Sequence, residues 1–263
     1  MTGEEPDAAG VPETRPAGVP PGTRPESIPP PPEPEPYPFW DYSDLFLFAG
    51  LVIPSVLAGW ALVKLGFAVF HVHTSLRVVE LLPEQLIGYA LLFGALAMAL
   101  RLQYDRPFWR SLAWAPLGRS PVFIVMCGVV TSLSVAFLGS LIHTPTTANP
   151  LTDLLQDRTS TILMAIFGIG IAPVCEELAF RGFLQPLLVR SMGAAPGVIL
   201  AAIPFGLLHY REFGNSWRHA VLIAVAGTTF GWMRHSTGST KAAALMHASY
   251  NALIFVAVFA PSR

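Results

Sequence analysis

From residue 44 onward, hydrophobic residues run in long blocks separated by short polar breaks. A helix that crosses a bilayer needs about 20 mostly apolar residues. Blocks near residues 45–70, 84–102, 121–142, 160–189, 196–210, 219–234 and 241–260 meet or approach that length. They predict an all-α, polytopic transmembrane bundle of about seven spans. The block at 196–210 is short, and is expected to be partly re-entrant or set deep in the protein. Pro145, Pro150 and the polar stretch from Asp153 to Ser160 predict an interfacial connection, and Gly193-Ala194-Ala195-Pro196-Gly197 a tight turn between helices.

Composition supports the membrane class. The chain is 52% hydrophobic and 13% charged, against about 25% charged in a soluble domain. A net charge of −1 gives no basis for nucleic-acid binding. Cys127 and Cys175 fall in different apolar blocks and are expected to be buried and free. Residues 1–43 differ in kind. They hold 13 of the 25 prolines and eight acidic residues, too little apolar surface to offset the entropy of ordering. A disordered, extended tail is expected there, acting as a spacer or solubilising segment. Its four consecutive prolines, Pro29 to Pro32, offer a docking motif for a proline-recognising partner. No apolar core marks a cleavable signal peptide. The chain thus divides into a tail (1–43), transmembrane helices without a recognised motif (44–150) and a motif-bearing region (151–263). Arg101, Arg106, Arg110 and Arg119 share one connection, which the positive-inside rule assigns to the cytoplasm. Seven spans then put the N-terminus inside and the C-terminus outside. Arg190, Arg234 and Lys241 also fall inside, whereas Arg211 and Arg218 fall outside.

The chemistry-bearing residues stand out against this apolar background. From Leu45 to the end there are eight carboxylates, and Glu176 and Glu177 are adjacent inside the block at 162–189. A charge at the centre of a spanning helix costs roughly 2.5–3.5 kcal/mol on insertion scales, so such a pair is a functional candidate. Glu177 and Arg181 are spaced i, i+4 in the favourable order for a pair on one helix face. Glu176 lies about 100° around the helix. The spacing assigns Glu177 and Arg181 to a structural pair and frees Glu176 to handle protons. His209 ends its apolar block, and His247 and Asn251 share one face of the last. Carboxylate, imidazole and carboxamide together suit amide hydrolysis, with water activation, proton transfer and oxyanion stabilisation each provided for. No Gly-x-Ser-x-Gly or His-Glu-x-x-His occurs, and Asp105, Asp153 and Asp157 all lie in connecting segments. Cys175 should point about 100° away from Glu176. His71, His73, His143, His219 and His235 read as interfacial residues, and the tryptophans, Trp40 among them, as an aromatic belt.

The succession Glu176-Glu177-x-x-x-Arg181, Phe205-x-x-x-His209 and His247-x-x-x-Asn251 resembles the CPBP family of intramembrane proteases. That family includes the type 2 CAAX prenyl endopeptidases and the bacteriocin-processing and self-immunity (ABI) proteins. The resemblance covers roughly residues 155–260, and the segments before Leu151 match no motif. It implies that Glu176 activates water, that His209 assists it, and that His247 and Asn251 complete the site and hold the oxyanion. It also implies that Glu177 and Arg181 are structural. Both a metal-dependent and a metal-free, glutamate-dependent mechanism are argued for the family. The first would place zinc on Glu176, His209 and His247, leaving Glu177 or another group as base. The implied protein is a membrane-embedded endopeptidase of a bacterial plasma membrane, with a cytoplasmic tail and a membrane-associated protein or peptide as substrate. Two alternatives stand beside it. One is a non-catalytic scaffold or immunity-type protein. The other is a proton- or ion-coupled transporter using Glu176, Glu177 and Arg181 as a relay, against which the Asn251 motif and the lack of internal repeats argue.

Overall fold

Side-chain caps mark where several of the helices begin. The computed structural model describes residues 36–145 and 150–260. Asp41 opens α1 (Tyr42–Val69) by accepting from the amides of Ser43 and Asp44, while the Asp44 carboxylate accepts from the Asp41 amide at 3.0 Å. Helix α2 (Arg77–Tyr104) runs antiparallel to α1. Lys64 pairs with Glu80 at one end of the two helices, and the Tyr104 hydroxyl donates to Asp44 at the other. A single turn, α3 (Phe108–Ser111), leads to α4 (Pro121–Leu141), which carries proline in its first turn where no amide is needed. After the short α5 (Pro150–Leu154), Asp157 caps α6 (Arg158–Met192) by accepting from the Ser160 amide at 2.8 Å. Helices α7 (Ala194–Leu208), α8 (Trp217–Thr237) and α9 (Thr240–Phe259) complete the bundle. Ser216 and Ser239 cap the last two, and Gly238, at φ +69°, ends α8 in the left-handed region that glycine tolerates.

Among the described residues, α1, α2, α4, α6 and α9 are long and apolar enough to cross a membrane, and the protein is a multi-pass, all-α membrane protein. The seven expected spans reduce to these five on physical grounds. Helix α7 has 15 residues and rises about 22 Å, short of the roughly 30 Å hydrocarbon core. Helix α8 has 21 residues, but Arg218, His219, Arg234 and His235 crowd its ends and leave too short an apolar stretch.

Two buried clusters hold the elements together. One joins α4, α7, α8 and α9 through Ile124, Phe205, Phe230 and Met246. At Gly128 a β-carbon would lie 2.3 Å from the Met246 carbonyl oxygen, so α4 and α9 touch backbone to backbone. The other cluster ties α1 and α2 to α6 through Phe48, Leu96, Leu100 and Phe183, and Trp40 lies at its centre. Trp40 is fully buried, stacks on Phe183 with ring centroids 5.2 Å apart, and donates its indole N–H to the Phe183 carbonyl at 3.1 Å. It is therefore an internal anchor and not a belt residue. Residues 36–41, the end of the stretch expected to be a tail, are ordered around it. The Tyr37 hydroxyl donates to the Ser111 carbonyl, and Arg190 donates to the Pro38 carbonyl. The rest of the expected tail, with Pro29 to Pro32, lies outside the described residues.

Replacing Trp40 by alanine should lower stability by about 3–5 kcal/mol, read as a fall in the thermal midpoint in detergent. Trp40→Phe keeps the ring stacking and loses one hydrogen bond, so it should cost about 1 kcal/mol. Equal melting of wild type and Trp40→Ala would show that this anchor contributes nothing.

Candidate functional site

The middle of α6 departs from α-helical geometry on both sides of the glutamates. Phe167–Ile171 and Leu178–Leu184 are π-helical turns, each ending two residues before a proline, Pro173 or Pro186. Proline has no amide hydrogen and its ring crowds the preceding turn; a widened turn accommodates both defects. In the first π turn the Ala172 amide reaches back five residues to the Phe167 carbonyl. The next amide in that ladder would be that of Pro173, which leaves the Gly168 carbonyl free. Asn251 fills the gap, its Nδ2 donating to Gly168 O at 2.6 Å. The Asn251 carboxamide thus joins α9 to the turn that precedes the glutamates.

Glu177 and Arg181 are both completely buried. Arg181 donates to Glu177 Oε1 at 3.1 Å and to the Gly227 carbonyl of α8 at 2.6 Å. Its guanidinium also lies 4.4 Å from the centroid of the Phe205 ring, a cation–π contact that strengthens without water. Gly227 permits this arrangement, because a β-carbon there would sit 2.8 Å from both Arg181 and Phe205. The i, i+4 pair expected from spacing is therefore present, and it is locked between α6, α7 and α8.

The pair also reaches further than a salt bridge. His247 Nδ1 lies 3.0 Å from Glu177 Oε1, and His247 Nε2 lies 3.8 Å from Glu176 Oε2. One imidazole of α9 thus stands between two adjacent carboxylates of α6 and presents one nitrogen to each. Phe230 stacks on the ring at 4.6 Å and 17°, and Phe205 meets it edge-on at 5.7 Å. With Glu177 as acceptor, neutral His247 carries its proton on Nδ1 and turns the Nε2 lone pair toward Glu176. Exposure distinguishes the two acids. The Glu177 side chain is sealed, whereas that of Glu176 is 21% exposed.

His209 follows the last residue of α7. Its Nδ1 bonds to the Phe205 carbonyl at 2.8 Å, and its Nε2 faces Glu212 Oε2 at 3.9 Å. Phe205 separates the two histidines, with its ring 5.0 Å from His209 and 5.7 Å from His247. The structure therefore brings Glu176, Glu177, Arg181 and His247 into one cluster, holds Asn251 one turn away, and sets His209 across Phe205 beside Glu212. Burial pushes the Glu212 carboxyl above its ordinary range, the nearby Glu176 charge adds to the rise, and His209 opposes it. Sequence reasoning missed Glu212, although its place three residues after His209 was a usable signal. Tyr89 of α2 was also missed. It lies within electrostatic range of Glu176, Cys175 and Glu212, and stacks on Phe167, where the first π turn begins. Its distance along the chain left no signal to find it by. Among the described residues, no group of three or more His, Cys, Asp or Glu side chains is placed to hold a metal ion.

Two measurements probe this site. Glu177→Gln leaves a buried guanidinium without its carboxylate and should cost about 3–5 kcal/mol, while joint replacement by Glu177→Leu and Arg181→Met should recover much of that loss. A double-mutant cycle with no coupling would refute the pairing. Glu212 supplies the second test. Its folded carboxyl titrates above the unfolded value near 4.5, so its contribution to stability is present below that pH and is lost as pH rises through the raised value. Thermal midpoints of Glu212→Gln should therefore gain on wild type as pH rises from about 4.5. Parallel pH profiles would contradict the shift.

Comparison with known families matches residues 158–253 to one described as Type II CAAX prenyl endopeptidase Rce1-like. Neither the curated proteins nor the solved structures contain a match. The match takes in Glu176, Glu177, Arg181, His209, Glu212, His247 and Asn251, and leaves residues 1–157 outside it. Residues 158–253, and not the whole chain, are thus a Rce1-like domain of the CAAX-protease kind, set in a helical membrane bundle.

Proposed function

We propose that this protein is a membrane-embedded endopeptidase that hydrolyses a peptide bond in a membrane-associated protein or peptide by means of a glutamate-activated water. The observation that carries this reading is the His247 imidazole held between a sealed carboxylate and a part-exposed one. Sealed Glu177, backed by Arg181, orients the ring. Exposed Glu176 is the acid that water can reach.

In this mechanism Glu176 accepts a proton from water as the water oxygen bonds to the peptide carbonyl carbon. The carbonyl π electrons move onto oxygen. Asn251 gives one amide hydrogen to Gly168 and has a second to offer the oxyanion; His247, by sharing the water-derived proton of Glu176 through Nε2, is a further donor. Collapse re-forms the carbonyl and breaks the C–N bond as the proton on Glu176 passes to the departing amine. The products are one carboxylic acid and one amine. His209, with Glu212 beside it, assists proton movement at the edge of the site. Every step uses this chain's own residues. Zinc bound by Glu176, His209 and His247 is a separate proposal that requires those three side chains to converge.

Glu176→Gln should lower cleavage of a membrane-tethered reporter peptide by about 10²–10⁴-fold while the protein still accumulates in membranes. Retained cleavage would remove Glu176 as the base. Full activity of preparations free of bound metal, read by metal analysis and chelation, would end the zinc proposal. A wild type that cleaves no peptide in a proteome-wide comparison of chain termini would favour the non-catalytic scaffold.

A further inference from the structure

Away from the glutamates, at the opposite end of the α6–α8 seam, lies a cavity of about 250 Å³ lined in part by Tyr37, Gln185, Arg190, Arg234 and His235. The seam leads straight to it. Arg181 bonds to the Gly227 carbonyl, and one turn further on both helices Gln185 donates to the Gly231 carbonyl at 2.9 Å. The next turn brings Arg234.

Among the described residues, the cavity is lined by two arginines and a histidine and by no carboxylate. Arg234 is buried, 8% exposed. Its Nε donates to the Thr240 hydroxyl at 3.1 Å and one terminal nitrogen to the Tyr37 hydroxyl at 3.1 Å, both neutral acceptors. Arg190 donates to the Pro38 carbonyl, again neutral. Among the described residues, neither arginine has a carboxylate oxygen within ion-pair distance; Asp41 feels Arg190 only at longer range. A buried guanidinium is ordinarily paired. Gln185, 2% exposed, donates to the α8 backbone and forms part of the buried floor. Arg190 and His235 are exposed at the rim, while Arg234 and Gln185 form the buried floor. Complementing the negative ends of α6 and α8 would explain basic residues in their last turns. It does not explain a buried arginine facing an open volume.

Location identifies the ligand class. The Ser239 hydroxyl and the Thr240 amide at the start of α9 bond to the Ala115 and Ala113 carbonyls, and Tyr37 bonds to Ser111. The cavity therefore opens at the end of the bundle that carries Arg106, Arg110 and Arg119. The positive-inside rule assigns that end to the cytoplasm, where the leaflet is anionic and basic pockets between helices receive acidic headgroups. The volume is below the roughly 300–1,000 Å³ of pockets for drug-sized ligands and suits a headgroup better than a peptide.

We infer that this cavity is a binding site for a phosphate-bearing anion, held by Arg234 and Arg190 and supplied by an acidic phospholipid headgroup or by soluble phosphate. The inference is independent of the peptidase reading, and its test does not use cleavage. Thermal midpoints of the full-length protein are measured in neutral-lipid mixed micelles, with added phosphatidylglycerol, phosphatidylcholine or inorganic phosphate. Phosphatidylglycerol should raise the midpoint and phosphatidylcholine should not, and the concentration for half the effect should rise about tenfold in Arg190→Gln, the loss of one charge-assisted contact. Arg190→Gln also loses the bond to Pro38, so its response is read against its own midpoint without added anion; Arg234→Gln, if it accumulates, should abolish the response. Stabilisation by inorganic phosphate at comparable concentration, equally sensitive to Arg190→Gln, would assign the soluble source. No midpoint shift with either anion, or a shift of the same size and midpoint concentration in Arg190→Gln, overturns the inference.

Discussion

Burial of the Glu177–Arg181 pair is the constraint on which the rest of this structure depends. Two full charges have been taken out of solvent and membrane alike, and their mutual attraction offsets that cost only if the remaining hydrogen-bonding capacity is met. Three elements answer most of that demand, leaving Glu177 Oε2 and Arg181 Nε without a hydrogen-bond partner among the described residues. Helix α8 brings the Gly227 carbonyl close by omitting a side chain there, α7 lays the Phe205 ring against the guanidinium, and α9 sets His247 on the carboxylate. An interaction four residues long in sequence therefore fixes how four helices meet.

The same constraint explains why the adjacent glutamates are unequal. Glu177 is spent on Arg181 and His247, and so cannot exchange protons freely with water. Glu176 stays 21% exposed and faces the other imidazole nitrogen. The prolines act in a comparable way. Pro173 removes an amide from α6, a π turn accommodates the gap, and the released Gly168 carbonyl holds Asn251. A backbone defect in one helix thus becomes the positioning element for a polar side chain of another.

Much of this could be read in advance from local spacing. Long apolar blocks announced the membrane helices, and the i, i+4 relations of Glu177 with Arg181 and of His247 with Asn251 announced shared faces. Errors came where length and burial had to be judged from hydropathy alone. Helix α8 looked like a span because its middle is apolar, yet it is polar at both ends, and α7, already expected to be re-entrant or set deep, is too short to cross. Trp40 looked like an interfacial aromatic because it precedes a span, yet it is fully buried, with Tyr37, Phe39 and Phe183 packed against its ring. Glu212 was overlooked because it follows α7 in a polar connection, where an acidic residue costs nothing and so draws no attention.

The sequence by itself determined that costly polar groups would enter a membrane bundle, on which helices, and which of them share a face. Helical periodicity carries that information over about four residues. Tertiary structure alone decided that His247 would touch both glutamates, that Asn251 would close the gap left by Pro173, that Tyr89 would come within electrostatic range of Glu176, and that arginines with no carboxylate partner among the described residues would border a cavity at the far end of the seam. Those outcomes depend on where helices cross and at what depth. Crossing and depth are set by backbone approach at residues such as Gly128 and Gly227 and by the fit of whole aromatic clusters, and no repeat along one helix encodes them.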